Sequence, residues 1–199
     1  MCRSLSKGRG ILALEVMNQI ERLTRKVLRE LLLKWRSKSR YIIERKLFPK
    51  VKNKRVLWVG CAEYTKDYPR KIEKNNNELW TIDIDPKVAE YGAKKHIIGN
   101  IANADKYFEK EFFDIIFFIG LFGYGLDEKK DAEKAMKSCY KILKKDGSMI
   151  IHWSNLEGRN KVKPKELKNI QLYTPKSIFG LPELYKINNN TKIFEFYKK

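Results

Sequence analysis

The sequence predicts an α/β protein: a doubly wound, mostly parallel sheet ending in an antiparallel hairpin and preceded by a basic helical extension. Three observations predict it. Short apolar runs alternate with charged stretches after Arg55, a strand passes into a glycine turn at Gly60, and basic charge is concentrated before residue 56. At 199 residues with 43% hydrophobic content, the chain has room for one α/β domain and an appendage.

The extension, residues 1–54, comes first. From 11 to about 47 the pattern is helical, with a break near 37–39. Val16, Ile20, Leu23, Val27 and Leu31 recur at three- and four-residue spacing, while Arg22, Arg25, Lys26 and Arg29 share another face. Residues 1–55 hold 17 Lys/Arg against 4 Asp/Glu, +13 of the net +19, and nine of the 11 arginines. Genomic base composition accounts for many lysines in the body of the protein but not for this arginine bias. Arginine's planar fork suits phosphate and carboxylate. The expectation is a helix that packs its apolar stripe on the domain. An RNA or an anionic membrane surface is an alternative partner. Pro49 and the charged 50–55 segment close the extension.

In the domain, residues 55–199, strands are expected at 56–59, 79–84, 96–98, 115–119 and 148–153, most too apolar to be half exposed. A helix is expected at about 128–145, with Ala132, Ala135, Met136, Cys139, Ile142 and Leu143 on one face, Asp127 as N-cap and Gly147 as terminator. Segments 183–187 and 192–197 flank three asparagines, a hairpin signal.

Several classes are excluded. The longest apolar stretch, 112–126, is broken by Asp114 and by glycines, so no spanning helix is expected. The basic start lacks a signal peptide's uninterrupted apolar region and cleavage site, which points to a cytoplasmic protein, with peripheral membrane attachment as an addition. Cys2, Cys61 and Cys139 are unpaired in spacing, so reduced thiols and no metal are expected.

The chemistry lies at strand ends. Arg55-Val56-Leu57-Trp58-Val59-Gly60-Cys61-Ala62-Glu63-Tyr64-Thr65 runs from strand through tight turn into helix, where backbone approaches a ligand at the carboxyl edge of a sheet. Ala62 and Tyr64 stand where glycine is usual. Leu79-Trp80-Thr81-Ile82-Asp83-Ile84-Asp85-Pro86 places a carboxylate at a second strand's end, 23 residues after Gly60, where it can accept both hydroxyls of a ribose. Asp85 reads equally as a helix cap.

These segments resemble the class I S-adenosylmethionine-dependent methyltransferases. Val56-Leu57-Trp58-Val59-Gly60-Cys61 is similar to the first motif, Ile82-Asp83-Ile84-Asp85-Pro86 to the second and Ile98-Gly99-Asn100-Ile101 to the third. Phe113-Asp114-Ile115-Ile116-Phe117-Phe118 resembles the fourth strand, and Leu143-Lys144-Lys145-Asp146-Gly147-Ser148-Met149-Ile150-Ile151 the turn into the fifth. The resemblance implies a Rossmann-like, seven-stranded sheet with a reversed hairpin, and S-adenosylmethionine as cofactor. Gly60 would line its methionine part, Asp83 the ribose, Ile84 one adenine face, and Asn100 with Ile101 the adenine edge.

Two further departures are Trp58, where the family often has an acidic residue, and Asn100, where it often has aspartate. Cofactor binding would then use a variant loop geometry, with Glu63 or Thr65 compensating. No catalytic residue is assigned. His152 is a candidate base, more readily read as structural or substrate-lining, and His96 reads as structural. Phe122, Tyr124 and Trp153 are candidates for a pocket wall or for core. Gly120-Leu121-Phe122-Gly123-Tyr124-Gly125 lacks the Asn-Pro-Pro-Tyr type sequence that holds a base or glutamine nitrogen, and no Pro-Cys pair offers a thiolate to cytosine. The expected function is methyl transfer to an oxygen or nitrogen of a small-molecule, lipid or glycan acceptor. The alternatives are a non-catalytic binding or scaffold protein, motivated by the variant loop, and an RNA methyltransferase. The oligomeric state has no signature.

Overall fold

The structure, a computed structural model, describes residues 15–24, 27, 37–156, 158 and 160–199. The chain divides into two compact units, Met1–Ile43 and Glu44–Lys199. In the first, residues 15–24 are helical, and a short helix α1 (Lys38–Ile42) starts where Ser37 Oγ accepts the Arg40 N–H at 3.2 Å. The break in the helical pattern is therefore an N-cap. Val16, Ile20, Leu23 and Val27 are exposed. Leu31 and the basic residues Arg25, Lys26 and Arg29 lie outside the described residues.

The second unit is built on one sheet: β1 (Arg55–Val59), β2 (Glu78–Asp83), β3 (Lys95–Ile98), β4 (Phe113–Ile119), β5 (Leu143–Ser154), β6 (Thr174–Pro175), β7 (Leu184–Ile187) and β8 (Lys192–Lys198). The order is β3-β2-β1-β4-β5-β8-β6, with β7 also paired to β8. The first five strands pair in parallel, and β8 runs antiparallel to β5. The hairpin expectation holds, its turn formed by Asn188, Asn189 and Asn190 at φ of 51°, 51° and 65°. Asparagine tolerates that left-handed region better than most residues. The eighth strand is β6, two residues long, whose Pro175 brings no N–H and so suits an edge.

The crossovers are slighter than the alternation suggests. Helix α2 (Tyr68–Glu73) joins β1 to β2, but only 3-10 turns, Pro86–Tyr91 and Ile101–Lys106, follow β2 and β3. The long crossover is α3 (Lys129–Ile142), with Glu128 rather than Asp127 at the N-cap position and no side-chain capping bond from it. It stops before residue 145 because Leu143, at φ −79° and ψ 134°, already pairs with Phe113 as strand.

Strand alternation sends Leu57, Val59, Ile116, Phe118, Met149 and Ile151 to one face. There they meet Ala132, Ala135, Met136, Cys139 and Ile142 of α3, all fully buried. Each large side chain buried there contributes about 1.5–3 kcal/mol before the cost of ordering it. On the other face Trp58 and Phe117 meet Phe48 and Tyr68, with ring centroids 4.9–6.0 Å apart and mostly edge to face.

Asn77, buried just before β2, fixes the chain entering β1. Its Oδ1 accepts the Lys54 N–H at 2.9 Å, and its Nδ2 donates to Val51 and Ile72 carbonyls at 3.0 and 2.8 Å. Asn77→Ala strands these groups and is expected to cost roughly 2–4 kcal/mol, read as a lower urea midpoint at unchanged slope. His152 of β5 is buried against Phe194, ring centroids 4.5 Å apart. Burial, reinforced by the Lys192 ammonium, lowers its pKa from 6.5 to about 3. Between those values the unfolded chain holds a proton that the folded chain refuses, so stability falls as pH drops through the window. Wild-type protein should lose up to about 2 kcal/mol through this residue between pH 7 and pH 5, and His152→Asn should show a correspondingly shallower decline in urea unfolding.

Candidate active site

The carboxyl ends of β1, β2 and β3 meet at a loop built from β1 outward. Gly60 has φ +86°, and a Cβ there would also approach Leu121 Cδ2 to 3.2 Å, so the turn requires glycine. Three hydrogen bonds hold it. The Gly60 N–H donates to the Ile82 carbonyl at 2.9 Å, Trp58 Nε1 donates to the Gly60 carbonyl at 2.7 Å, and the Cys61 N–H donates to Asp83 Oδ2 at 2.6 Å. The other Asp83 oxygen, Oδ1, accepts the Asp85 N–H at 2.9 Å.

Ala62 and Tyr64 need no glycine. Ala62 sits at φ −161°, extended backbone open to any residue, and Tyr64 is not among the positive-φ positions. Thr65 closes the turn instead: its Oγ1 accepts the Ala62 N–H at 3.0 Å and donates to the Ala62 carbonyl at 2.8 Å. Of the two residues expected to compensate, Thr65 is buried in this role and Glu63 is exposed. Trp58 packs among the aromatic rings of the far face, so its indole secures the loop from behind.

Gly60, Asp83, Ile84, Asn100 and Ile101 all line one cleft, faced by Leu121, Tyr124 and Asp131. Ile84 is 68% exposed although Ile82, two residues earlier, is fully buried. Asn100 caps the following turn, its Oδ1 accepting the Ala102 N–H at 2.9 Å. Asp85 does the same for Lys87, so the capping reading of Asp85 describes what it does here. Beside the cleft, burial and the Asp83 carboxylate push the Cys61 thiol up to about 11, which keeps it protonated at neutral pH.

The aromatic candidates separate. Tyr124 lines the cleft, whereas Phe122 is fully buried against Phe118, and Trp153 is buried with Nε1 donating to Glu195 at 2.7 Å. His152 also lies off the cleft lining, and its depressed basicity ill suits proton abstraction at neutral pH. His96 is structural, with Nδ1 2.8 Å from Thr81 Oγ1, and burial lowers its pKa. Sequence reasoning missed Leu121 and Asp131. The glycine spacing at 120, 123 and 125, all with positive φ, was the available signal for the loop that carries Leu121. Among the described residues no group of three or more His, Cys, Asp or Glu could hold a metal.

Residues 57–151 match the model of a family described as a methyltransferase domain. No curated protein matches in sequence. Among solved structures, the PH0226 protein of Pyrococcus horikoshii is 16% identical with a TM-score of 0.63, over 78% of this chain and 87% of that one. A TehB-like S-adenosylmethionine-dependent methyltransferase of Corynebacterium glutamicum is 18% identical with a TM-score of 0.58, over 76% and 83%. The N-methyltransferase NodS of Bradyrhizobium japonicum, in complex with S-adenosylhomocysteine, is 14% identical with a TM-score of 0.55, over 73% and 77%. Residues 57–151 thus match a methyltransferase-domain model, and the chain shares its fold with solved S-adenosylmethionine-dependent methyltransferases.

Proposed function

We propose that this domain transfers the methyl group of S-adenosylmethionine to a nitrogen or oxygen of a small-molecule or lipid-linked acceptor, with nitrogen favoured. The observation that carries the reading is the convergence of Gly60, Asp83, Ile84, Asn100 and Ile101, from three separate strand ends, on one cleft at the carboxyl edge.

The donor set fits the cofactor. Each Asp83 oxygen accepts one backbone N–H, and each retains a lone pair for a ribose hydroxyl. Ile84 offers an exposed apolar face to adenine, Asn100 and Ile101 flank its edge, and the Gly60 turn brings bare backbone to the methionine part. The cofactor supplies a methyl group already activated on a sulfonium. What remains for the chain is to orient the acceptor in line and exclude water. The cleft measures ≈ 140 Å³, below the ~300 Å³ of ordinary ligand sites, so as it stands it encloses only part of such a ligand.

Among the described residues, no His, Lys or Cys lines the cleft. Asp131 is the carboxylate on the acceptor side, a weaker base than His or Lys, and an uncharged amine needs less help from it than a hydroxyl does. NodS, an N-methyltransferase, points the same way. The absence of a base-holding motif after β4 supports a small acceptor over a nucleobase. A non-catalytic reading rested on the variant loop, and that ground weakens because Thr65 does the work expected of glycine.

Calorimetric titration of the full chain with S-adenosylhomocysteine tests the proposal. Saturable binding is expected, weakened about 10-fold or more by Asp83→Asn, whose amide accepts only one of the two backbone N–H groups and therefore also lowers the melting temperature by a few degrees, roughly. A folded protein that binds neither S-adenosylhomocysteine nor S-adenosylmethionine would refute it. Trp58→Phe, which keeps one aromatic ring in the cluster but removes the indole N–H and part of the buried ring volume, should cost roughly 2–3 kcal/mol of stability and loosen cofactor binding several-fold.

A further inference from the structure

At the opposite edge of the sheet, where the parallel strands begin, lies a second concavity of ≈ 430 Å³ that methyl transfer does not use. Four separate segments form it: the chain entering β1, the start of β4, the 144–148 turn of β5, and the 177–179 stretch, with Lys198 of β8 beside them. A five-residue strand at ~3.3 Å per residue puts it roughly 17 Å from the cofactor cleft.

Its charge is one-sided. Lys50, Lys54, Lys144, Lys145 and Lys198 line it against Asp114 and Asp146. Asp114 is already committed, with Oδ2 accepting the Arg55 N–H at 2.8 Å and Oδ1 the Lys144 ammonium at 3.0 Å. Lys198 Nζ donates to the Asp146 carbonyl at 2.6 Å. Among the described residues, Lys50, Lys54 and Lys145 enter no ion pair, and all three are exposed. Like charges held around one concavity repel, and an anion relieves that repulsion.

The floor is apolar. Val51, Ile115 and Ile178 are buried beneath the lysines, and Phe179 stands at the rim with φ +56°. That left-handed φ belongs to the two-residue turn closed by the paired Ile178 and Leu181 backbones, so the ring is carried on a tight hairpin. The volume exceeds what a lone phosphate needs and lies in the ~300–1,000 Å³ range of small-ligand sites.

We propose that this groove binds a phosphate-bearing small molecule of about nucleoside diphosphate size, its phosphates held by Lys50, Lys54 and Lys145 and its ring portion on the apolar floor beside Phe179. Lysine serves such a group as a point charge, and concavity favours a compact ligand over a polymer laid along a flat surface.

UDP is the probe, since its pyrimidine does not suit a cleft selective for adenosine, and inorganic pyrophosphate separates the phosphate contribution from that of the ring. Titrated into the full chain at low salt, UDP should bind saturably and more tightly than pyrophosphate. The triple variant Lys50→Ala, Lys54→Ala, Lys145→Ala should weaken UDP about 10-fold or more, while Lys129→Ala, Lys130→Ala, Lys134→Ala on α3 changes it less than about twofold. Lys145→Glu alone carries the comparison if the triple variant does not fold. Equal losses in both triples, no saturation, or displacement of UDP by equimolar single-stranded RNA would overturn the proposal, the last in favour of a nucleic-acid surface. Asp83→Asn should leave UDP binding intact whether or not it abolishes S-adenosylhomocysteine binding. Loss of UDP binding in Asp83→Asn would place the probe in the cofactor cleft and refute a second site.

Discussion

The Cys61 N–H meets the Asp83 carboxylate at 2.6 Å, and the carboxyl edge of the sheet takes its shape from that contact. Parallel strands are joined by evenly spaced backbone bonds only while both remain strands. Beyond Val59 the first strand has no ladder partner past the Gly60–Ile82 bond, and a loop leaving a sheet there would ordinarily wander. One ionised side chain at the end of β2 replaces the ladder by gripping the loop backbone, and its second oxygen grips the Asp85 N–H of its own turn. The carboxylate proposed to receive a ribose is thus also the group that keeps the loop backbone in place.

Trp58 ties this edge to the far face of the sheet. Its ring is locked among Phe48, Tyr68 and Phe117, while its only polar atom holds the Gly60 carbonyl. Packing that has no direct access to the cleft therefore sets the position of the cleft's glycine. A buried indole also needs a partner for its N–H, and the turn supplies one. The two requirements satisfy each other, which accounts for an aromatic residue at a position where an acidic one is common in this fold.

Much of the fold was legible because a buried parallel strand must be an apolar run, and four such runs stand out from a lysine-rich background, while the edge strand β3 has no buried residue. The slight crossovers were not legible. Asp85-Pro86 and Asn100 announce a helix start by side-chain capping, but capping says nothing about how many turns follow, and only 3-10 segments do. β6 has no periodicity to detect in two residues. At the site, Gly60 and Asp83 could be read because a left-handed turn and a strand-end carboxylate each leave a residue-type signature. Asp131 could not, since an acid in a helix's first turn is ordinary. For His152 and Trp153 residue type left chemistry open beside a structural reading, and burial against β8, distant in sequence, decides for the structural one. The lysine groove draws on four distant segments, so no local spacing reports it.

β8 lies inside the sheet rather than at its rim, with β5 along one side and β7 and β6 sharing the other. Being the last of the eight in chain order, it can take that place only after the rest has been synthesised. Until then β5, the longest strand, presents an unsatisfied backbone edge and the apolar side chains of residues 149–151 to the surroundings. An exposed edge of that kind is a template for pairing with other chains. The order of strands therefore gives the nascent polypeptide an interval of vulnerability that a sheet finished by a peripheral strand would avoid, and makes its safe maturation depend on how fast the final hairpin forms and inserts.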